Sequence, residues 1–295
     1  MKKIIIKTTS KLFSLFSSGA PEFIYTKLLK PWPLRQLTNA ILYRIIPEKV
    51  TLKEGEIFLN KKDPVISGAL AMGVYENKEI ALFRSTVKPG MTVLDIGANI
   101  GEYTIIASYL VGDSGKVISF EPEPENYELL LKNIKHNNRK NVQAFQCGLA
   151  DKKSDEILYL SSDNKGKHSL AKLDGENKSI KVPIKTTDQV LSGININNVD
   201  VVKMDIEGAE ALALKGMENV LKNSPSCILF CEFYPEALKR MNSNPLDFLS
   251  NLSSLGFLIY DIADKESPRV QIKDFSLFVE KFKTNDYTNL YCVKS

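Results

Sequence analysis

The sequence predicts an α/β protein with a doubly wound, mainly parallel sheet and helices on both faces. Three observations predict it. Near-continuous apolar strands alternate with helical periodicity from about Glu76 to the C-terminus. A glycine-bearing turn, Gly97-Ala98-Asn99-Ile100-Gly101, follows the first of these strands. Acidic residues recur at the ends of successive strands, where open α/β sheets bind their ligands. The 295 residues, 43% apolar and 25% charged, suit one substantial domain plus an extension.

The elements follow in order. Residues 1–46 read as amphipathic helix broken by Pro21, Pro31 and Pro33, and residues 50–75 as short strands and turns. The division is therefore a basic N-terminal extension, 1–75, and a domain, 76–295. Strand MTVLDI (91–96) leads into a helix through Leu110, and strand KVISFE (116–121) into the helix 124–137. In that helix Tyr127, Leu130, Leu131 and Ile134 share one face. Strand VQAFQC (142–147) follows, then a polar stretch, 151–180, expected as an exposed hairpin or loop. Strand VDVVKMDI (199–206) opens a helix on which Ala209, Ala213, Met217 and Val220 recur at helical spacing. CILFCEF (227–233), FLIYDIA (257–263) and TNLYCVK (288–294) supply the last strands.

Charge is unevenly shared. Residues 1–50 hold nine lysines and arginines against Glu22 and Glu48, a balance of +7, leaving −3 for the remainder of a chain at +4 overall. The excess is an N-terminal property, not a nucleic-acid surface spread over the fold. With Ile5, Leu12, Phe13, Leu15 and Phe16 it supports two readings: weak contact with an anionic membrane surface, or a helical cap on the domain. Lys7 and Lys11 interrupt the apolar run a signal peptide needs, and no segment reaches the roughly 18 apolar residues of a spanning helix. The expected location is the cytoplasm, with membrane-peripheral contact as the second reading. Cys147, Cys227, Cys231 and Cys292 lack zinc-type pairing and are expected as reduced, mostly buried thiols. With two histidines, His136 and His168, a His-rich centre is excluded and no metal is expected. His168 reads as a solvated loop residue.

The strand ends carry the chemistry: Asp95 and Gly97, then Glu121, Asp151, Asp205 with Glu207, and Glu232. A dinucleotide turn wants glycine at its middle position so that backbone can approach the pyrophosphate, and here Asn99 stands there. Asp95 would also repel a doubly negative group by roughly 3 kcal/mol per charge pair at about 5 Å and an effective dielectric near 20. The same charge attracts a sulfonium or an ammonium. Glu121, twenty residues after Gly101, suits two ribose hydroxyls. An acid-lipped glycine turn with a ribose carboxylate fits S-adenosylmethionine better than NAD. A non-catalytic S-adenosylmethionine-binding module and an NAD-dependent oxidoreductase are the alternatives.

The segments VLDIGANIGEYT, VISFEPEPENYELLLKNI, NVQAFQCGLAD, VPIKTTDQVL and VDVVKMDIEGAEALALKGM resemble FkbM-type S-adenosylmethionine-dependent methyltransferases, in order and spacing, over roughly residues 75–265. KMDIEGAE is the more specific sign. The resemblance implies a class I methyltransferase sheet, Rossmann-like and seven-stranded, with an antiparallel last strand. It implies O-methylation of hydroxyls on sugars, polyketides and related metabolites. Asp95, Gly97, Asn99 and Gly101 would line the methionine and ribose end of the cofactor, Glu121 would take the ribose hydroxyls, and Glu76 would close the methionine end. Asp151 would sit near the adenine amino group or be a plain loop carboxylate. Asp205 would face the transferred methyl, with Glu207 and Glu232 beside it. Glu207 has a second reading, an acid capping the following helix. A phosphate backbone is held by basic contacts that this acidic rim does not offer, so nucleic acid is disfavoured. The expected acceptor is a neutral hydroxyl on a small molecule, glycan or lipid.

Overall fold

The computed structural model describes residues 46–63, 65–73, 75–161, 165–172, 178–262, 270–283 and 286–294. The expectations for residues 1–45, membrane contact among them, lie outside these. Two short strands open the described chain, β1 (Lys49–Thr51) and β2 (Glu56–Phe58), paired antiparallel. Two helices follow, α1 (Ile66–Met72) and α2 (Asn77–Thr86). The expectation of strands and turns alone over 50–75 is thus corrected. Ile66 and Leu70, one helical turn apart, are both buried, which gives residues 66–72 an inner face.

The alternation then runs as expected. β3 (Thr92–Ile96), α3 (Glu102–Val111), β4 (Lys116–Phe120), α4 (Pro124–His136) and β5 (Val142–Phe145) make two successive strand–helix–strand units. A separate small sheet follows: β6 (Gly148–Leu149), β7 (Ser154–Tyr159) and β8 (Ser179–Lys185), with β8 in the middle. After α5 (Thr187–Gly193) come β9 (Val201–Met204), α6 (Glu210–Lys215) and α7 (Glu218–Lys222). The single helix expected after β9 is broken at Gly216, whose position admits no side chain because a Cβ would lie 2.0 Å from the Ala150 carbonyl oxygen. Its apolar positions Ala209, Ala213, Met217 and Val220 are all buried, so the spacing reports the inner face correctly. The chain closes with β10 (Ile228–Phe233), α8 (Pro235–Arg240), α9 (Pro245–Ser254), β11 (Phe257–Asp261), β12 (Val270–Gln271), α10 (Phe275–Glu280) and β13 (Thr288–Lys294).

The main sheet has the order β12-β11-β13-β10-β9-β3-β4-β5. β10, β9, β3, β4 and β5 run parallel, and β13 is antiparallel to both its neighbours. This is the sheet the resemblance implies, antiparallel last strand included, with the two-residue β12 added at its edge. Its faces are buried separately. Leu94, Ile118, Met204 and Leu229 pack one side, and Val93, Val117, Val201 and Phe230 the other. That two-sided burial is why these strands read as near-continuous apolar runs. The four cysteines are buried thiols without disulfides.

The apolar face expected for α4 is inner at Leu130 and Ile134 but not at Leu131. In α4 the buried positions are Asn126, Leu130 and Asn133, while Leu131 is exposed. The inner stripe of this helix is largely amide. Asn133 Oδ1 accepts from Phe58 N (2.7 Å) and its Nδ2 donates to Phe58 O (3.2 Å) and Ile100 O (2.7 Å). One turn on, Asn137 accepts from Glu56 N (2.9 Å) and donates to Glu56 O (2.7 Å). Two side-chain amides therefore complete the outer edge of β2 as a neighbouring strand would, and they hold residues 46–72 against the sheet domain.

Candidate active site

The strand order reverses between β3 and β9, and a cleft opens at their carboxyl ends. The two chains approach there so closely that a Cβ on Gly97 would lie 1.9 Å from the Asp205 carbonyl oxygen. Gly97 also has φ +81°, so both the space and the backbone demand glycine. The cleft encloses about 930 Å³, its open mouth included. Across the sheet from β9 to β5 its wall presents Asp205 and Glu207, then Gly97 and Asn99, then Glu121, then Cys147 and Leu149.

Asn99 takes the left-handed conformation, φ 50°, which asparagine tolerates better than most side chains. Its N–H donates to Glu121 Oε2 (2.8 Å), and Glu123 N–H donates to Glu121 Oε1 (2.9 Å). Glu121 is thereby fixed at the end of β4 with lone pairs remaining on both oxygens. Burial pushes its pKa up to about 7. Asp95, two residues before Gly97, is buried and off the cleft wall. Its Oδ2 accepts from Thr104 Oγ1 (2.5 Å), and Oδ1 has no partner among the described residues. Glu76, at φ 39°, accepts from the Tyr103 hydroxyl (2.8 Å), and Tyr103 is on the wall. Beside it Glu102 is buried with Oε2 unpartnered, and burial together with Glu76 pushes its pKa up to about 8.

Among these acids stands one buried cation. Lys203, 5% exposed in the middle of β9, lies 3.4 Å from Asp205 Oδ2. Burial works against its charge, but Asp205, Asp95, Glu76 and Glu79 outweigh that and hold its pKa above the ordinary range. Carboxylate oxygens of Asp205, Glu207 and Glu232 converge to within 4.8 Å of one another, a spacing that could hold a cation. Burial and mutual repulsion raise Glu207 to about 8 and push Glu232 well up. The capping reading for Glu207 is corrected. Glu210 does the capping: its oxygens accept from Ile206 N (3.0 Å) and Gly208 N (2.9 Å). Glu207 instead sits at φ 52°, and its carbonyl is held by Ser169 Oγ (2.9 Å).

That serine belongs to residues 165–172, which cross the cleft. At one end Asn99 Nδ2 and Asn126 Nδ2 both donate to Lys165 O (3.3 Å each). At the other, Ser169 bridges to Tyr159 and to the Glu207 turn. His168 lies between. It is half-buried on the wall rather than solvated, with Nδ1 accepting from Ser161 N (3.0 Å) and Nε2 buried without a partner. Burial and nearby Lys165 lower its pKa to about 4.

Of the residues expected from the sequence, Gly97, Asn99, Glu121, Asp205 and Glu207 meet on one wall. Asp95, Gly101, Glu76 and Glu232 stand behind or beside it, and Asp151 is exposed on the small sheet's side and off the wall. Sequence reasoning passes over Lys203, Glu102, Tyr103 and Asn126, and it places His168 in solvent rather than on the wall. Lys203 had a signal, a lone charge inside the apolar run VVKM.

The profile of the methyltransferase FkbM domain matches residues 95–259. "Methyltransferase 1" of Beauveria bassiana is 27% identical over 146 residues, covering 43% of this chain and 58% of its own. "Hexuronic acid methyltransferase AglP" of Haloferax volcanii is 27% identical over 150 residues, covering 50% of this chain and 59% of its own. These matches thus span less than two thirds of the relatives' length. Among solved structures, the methyltransferase FkbM of Methylobacillus flagellatus is 14% identical at a TM-score of 0.44, covering 88% of this chain and 60% of its own.

Proposed function

The chain belongs to the FkbM methyltransferase family, and on that premise we propose that it methylates a hydroxyl of a sugar, glycolipid or related metabolite. S-adenosylmethionine is the cofactor, and the cleft suits it. Gly97 leaves backbone at the wall, and buried Glu102 Oε2 offers an unpartnered acceptor at the Glu76 end, where an ammonium group would be neutralised. In this reading Glu121 takes the ribose hydroxyls, Asn99, Gly97 and Gly101 shape the methionine and ribose end, and Asp95 and Glu76 act from behind the wall. When bound, the cofactor supplies a methyl group already activated on a sulfonium.

Asp205 is then the group that orients the acceptor hydroxyl and receives its proton, with Lys203 as counter-ion 3.4 Å away. Glu207, raised to about 8 by burial and crowding, holds a proton near neutrality and can donate a hydrogen bond to a further acceptor oxygen, and the same causes push Glu232 upward. Placement supplies the larger share of catalysis: near-attack positioning is worth about 7–11 kcal/mol, a general base about 10²–10⁴-fold. The observation that carries the proposal is the convergence of three carboxyl groups beside the β3–β9 crevice, away from Glu121. The name of the AglP relative supports a sugar acceptor. A mass-resolved screen of methyl transfer to hydroxylated sugars and lipids tests it. Asp205→Asn should lower turnover about 10²-fold, the loss expected of a missing base, with S-adenosylhomocysteine affinity nearly unchanged. Unchanged turnover would remove Asp205 from the mechanism.

A further inference from the structure

The cleft wall has a second polar device, apart from the acids. Two of its buried atoms have no partner among the described residues: Asn126 Oδ1 and His168 Nε2. Asn126 is 1% exposed at the start of α4. The chemistry of each atom is fixed by the rest of its side chain. Asn126 Nδ2 donates to Lys165 O (3.3 Å), so the atom turned elsewhere is the acceptor Oδ1. Ser161 N–H donates to His168 Nδ1 (3.0 Å), so the ring proton sits on Nε2 and that atom is a donor. The Lys165 carbonyl that Asn126 holds is three residues from His168, so one short segment ties both to the same part of the wall.

That part of the wall lies beyond Glu121. Asp205 and Glu207 follow β9, Glu121 follows β4, and next come Phe120, Cys147, Leu149 and Leu158, an apolar slot at the β4–β5 end. With Glu121 on the ribose, as proposed above, a planar base falls into this slot. The edge of adenine offers an amino donor beside a ring-nitrogen acceptor, the complement of one acceptor and one donor.

We propose that Asn126 and His168 read the adenine edge of the cofactor, Asn126 Oδ1 accepting from the 6-amino group and His168 Nε2–H donating to the neighbouring ring nitrogen. The inference rests on the ribose placement at Glu121. It gives the adenine amino group to Asn126 instead of Asp151, which is exposed and off the wall. His168 acts as a neutral donor and takes no proton in the reaction. A ligand whose edge inverts the pattern would leave both atoms facing like partners, and buried unpaired groups are what give such sites their selectivity.

Calorimetry on the full-length protein tests this with two product analogues, S-adenosylhomocysteine and S-inosylhomocysteine, whose oxo group and N1–H reverse the edge. The wild type should bind the adenosyl compound about tenfold or more tightly, a ratio worth about 1.4 kcal/mol. His168→Phe should weaken adenosyl binding several-fold and bring the ratio toward one, while His168→Gln, which keeps a donor, should retain part of both. Asn126→Asp, keeping shape and acceptor, should retain the preference for adenosyl. Equal wild-type affinity for the two compounds, or an unchanged ratio in His168→Phe, overturns the proposal. So does Asp151→Ala abolishing the preference, or His168→Phe raising only the acceptor KM. A wild type that binds neither compound overturns the placement at Glu121 and this inference with it.

Discussion

Single residues at this site occupy backbone conformations that side chains usually avoid. Six non-glycine residues have positive φ among those described; three are asparagines remote from the cleft, and the others are Glu76, Asn99 and Glu207. Strain of this kind costs of order 1–3 kcal/mol per residue and persists only where surroundings over-determine it. Here they do. Glu121 accepts from Asn99 N, Tyr103 holds Glu76, and Ser169 holds the Glu207 carbonyl. Gly97 belongs to the same set for a different reason, since any Cβ would strike the Asp205 carbonyl. This level was half legible in the sequence. Glycine spacing and acids at strand ends are local patterns, and they pointed to Gly97, Glu121, Asp205 and Glu207. The burial of His168 is not legible in the sequence because its partner Ser161 and the Tyr159 bridge to neighbouring Ser169 come together only on folding.

Among elements, the junction of β2 with α4 has the clearest consequence. Asn133 is fully buried and pairs with three backbone groups, the N–H and C=O of Phe58 and the C=O of Ile100. An unsatisfied buried group costs about 1–3 kcal/mol, so Asn133→Leu should destabilise the protein by about 2–4 kcal/mol in denaturant titration. A loss below about 0.5 kcal/mol, the range of ordinary surface substitutions, would show that the amides are incidental. The junction also matters to the site, because α1 places Ile66 and Leu70 on the cleft wall. The strand–helix alternation from β3 to β13 could be read from periodicity, since strands buried on both faces are continuous in hydropathy. The amide stripe of α4 could not. Apolar spacing there suggested Leu131, whereas the partner of the inner face is a strand edge that wants hydrogen bonds. The α6–α7 break was hidden too, as Gly216 is required by a contact with Ala150 far away in sequence.

In the whole molecule, the cleft concentrates buried carboxyl groups that outnumber the buried cations beside them. Glu102 and Glu121 have pKa values raised to about 8 and about 7 from an ordinary 4.5, burial being the first cause in both. The native state therefore holds protons that the unfolded chain has released, and stability falls as pH rises through that interval. His168, lowered to about 4 from 6.5, acts oppositely below pH 6.5, so the clean window is pH 6.5 to 8. Each retained proton is worth about 1.4 kcal/mol per pH unit. The ligand-free protein should lose a few degrees of Tm across this window, at roughly 2–4 °C per kcal/mol for its size. A rising Tm would contradict the burial of these acids as charged-form penalties. No helix among the described residues is long and apolar enough to cross a membrane. Residue patterning alone does not supply which strand ends face one another, since that depends on β9 pairing with β3 and β10 with β9; the family resemblance supplies it. The central claim, that the β3–β9 crevice with Glu121 is the S-adenosylmethionine site, is tested most directly by calorimetric titration of S-adenosylhomocysteine and NAD into wild type and Glu121→Ala at pH 8. The account predicts that the wild type binds S-adenosylhomocysteine in preference to NAD and that Glu121→Ala weakens it by about 1.5–3 kcal/mol, the value of hydrogen bonds to a charged group. Equal affinity in the two proteins, or tighter binding of NAD, would contradict it.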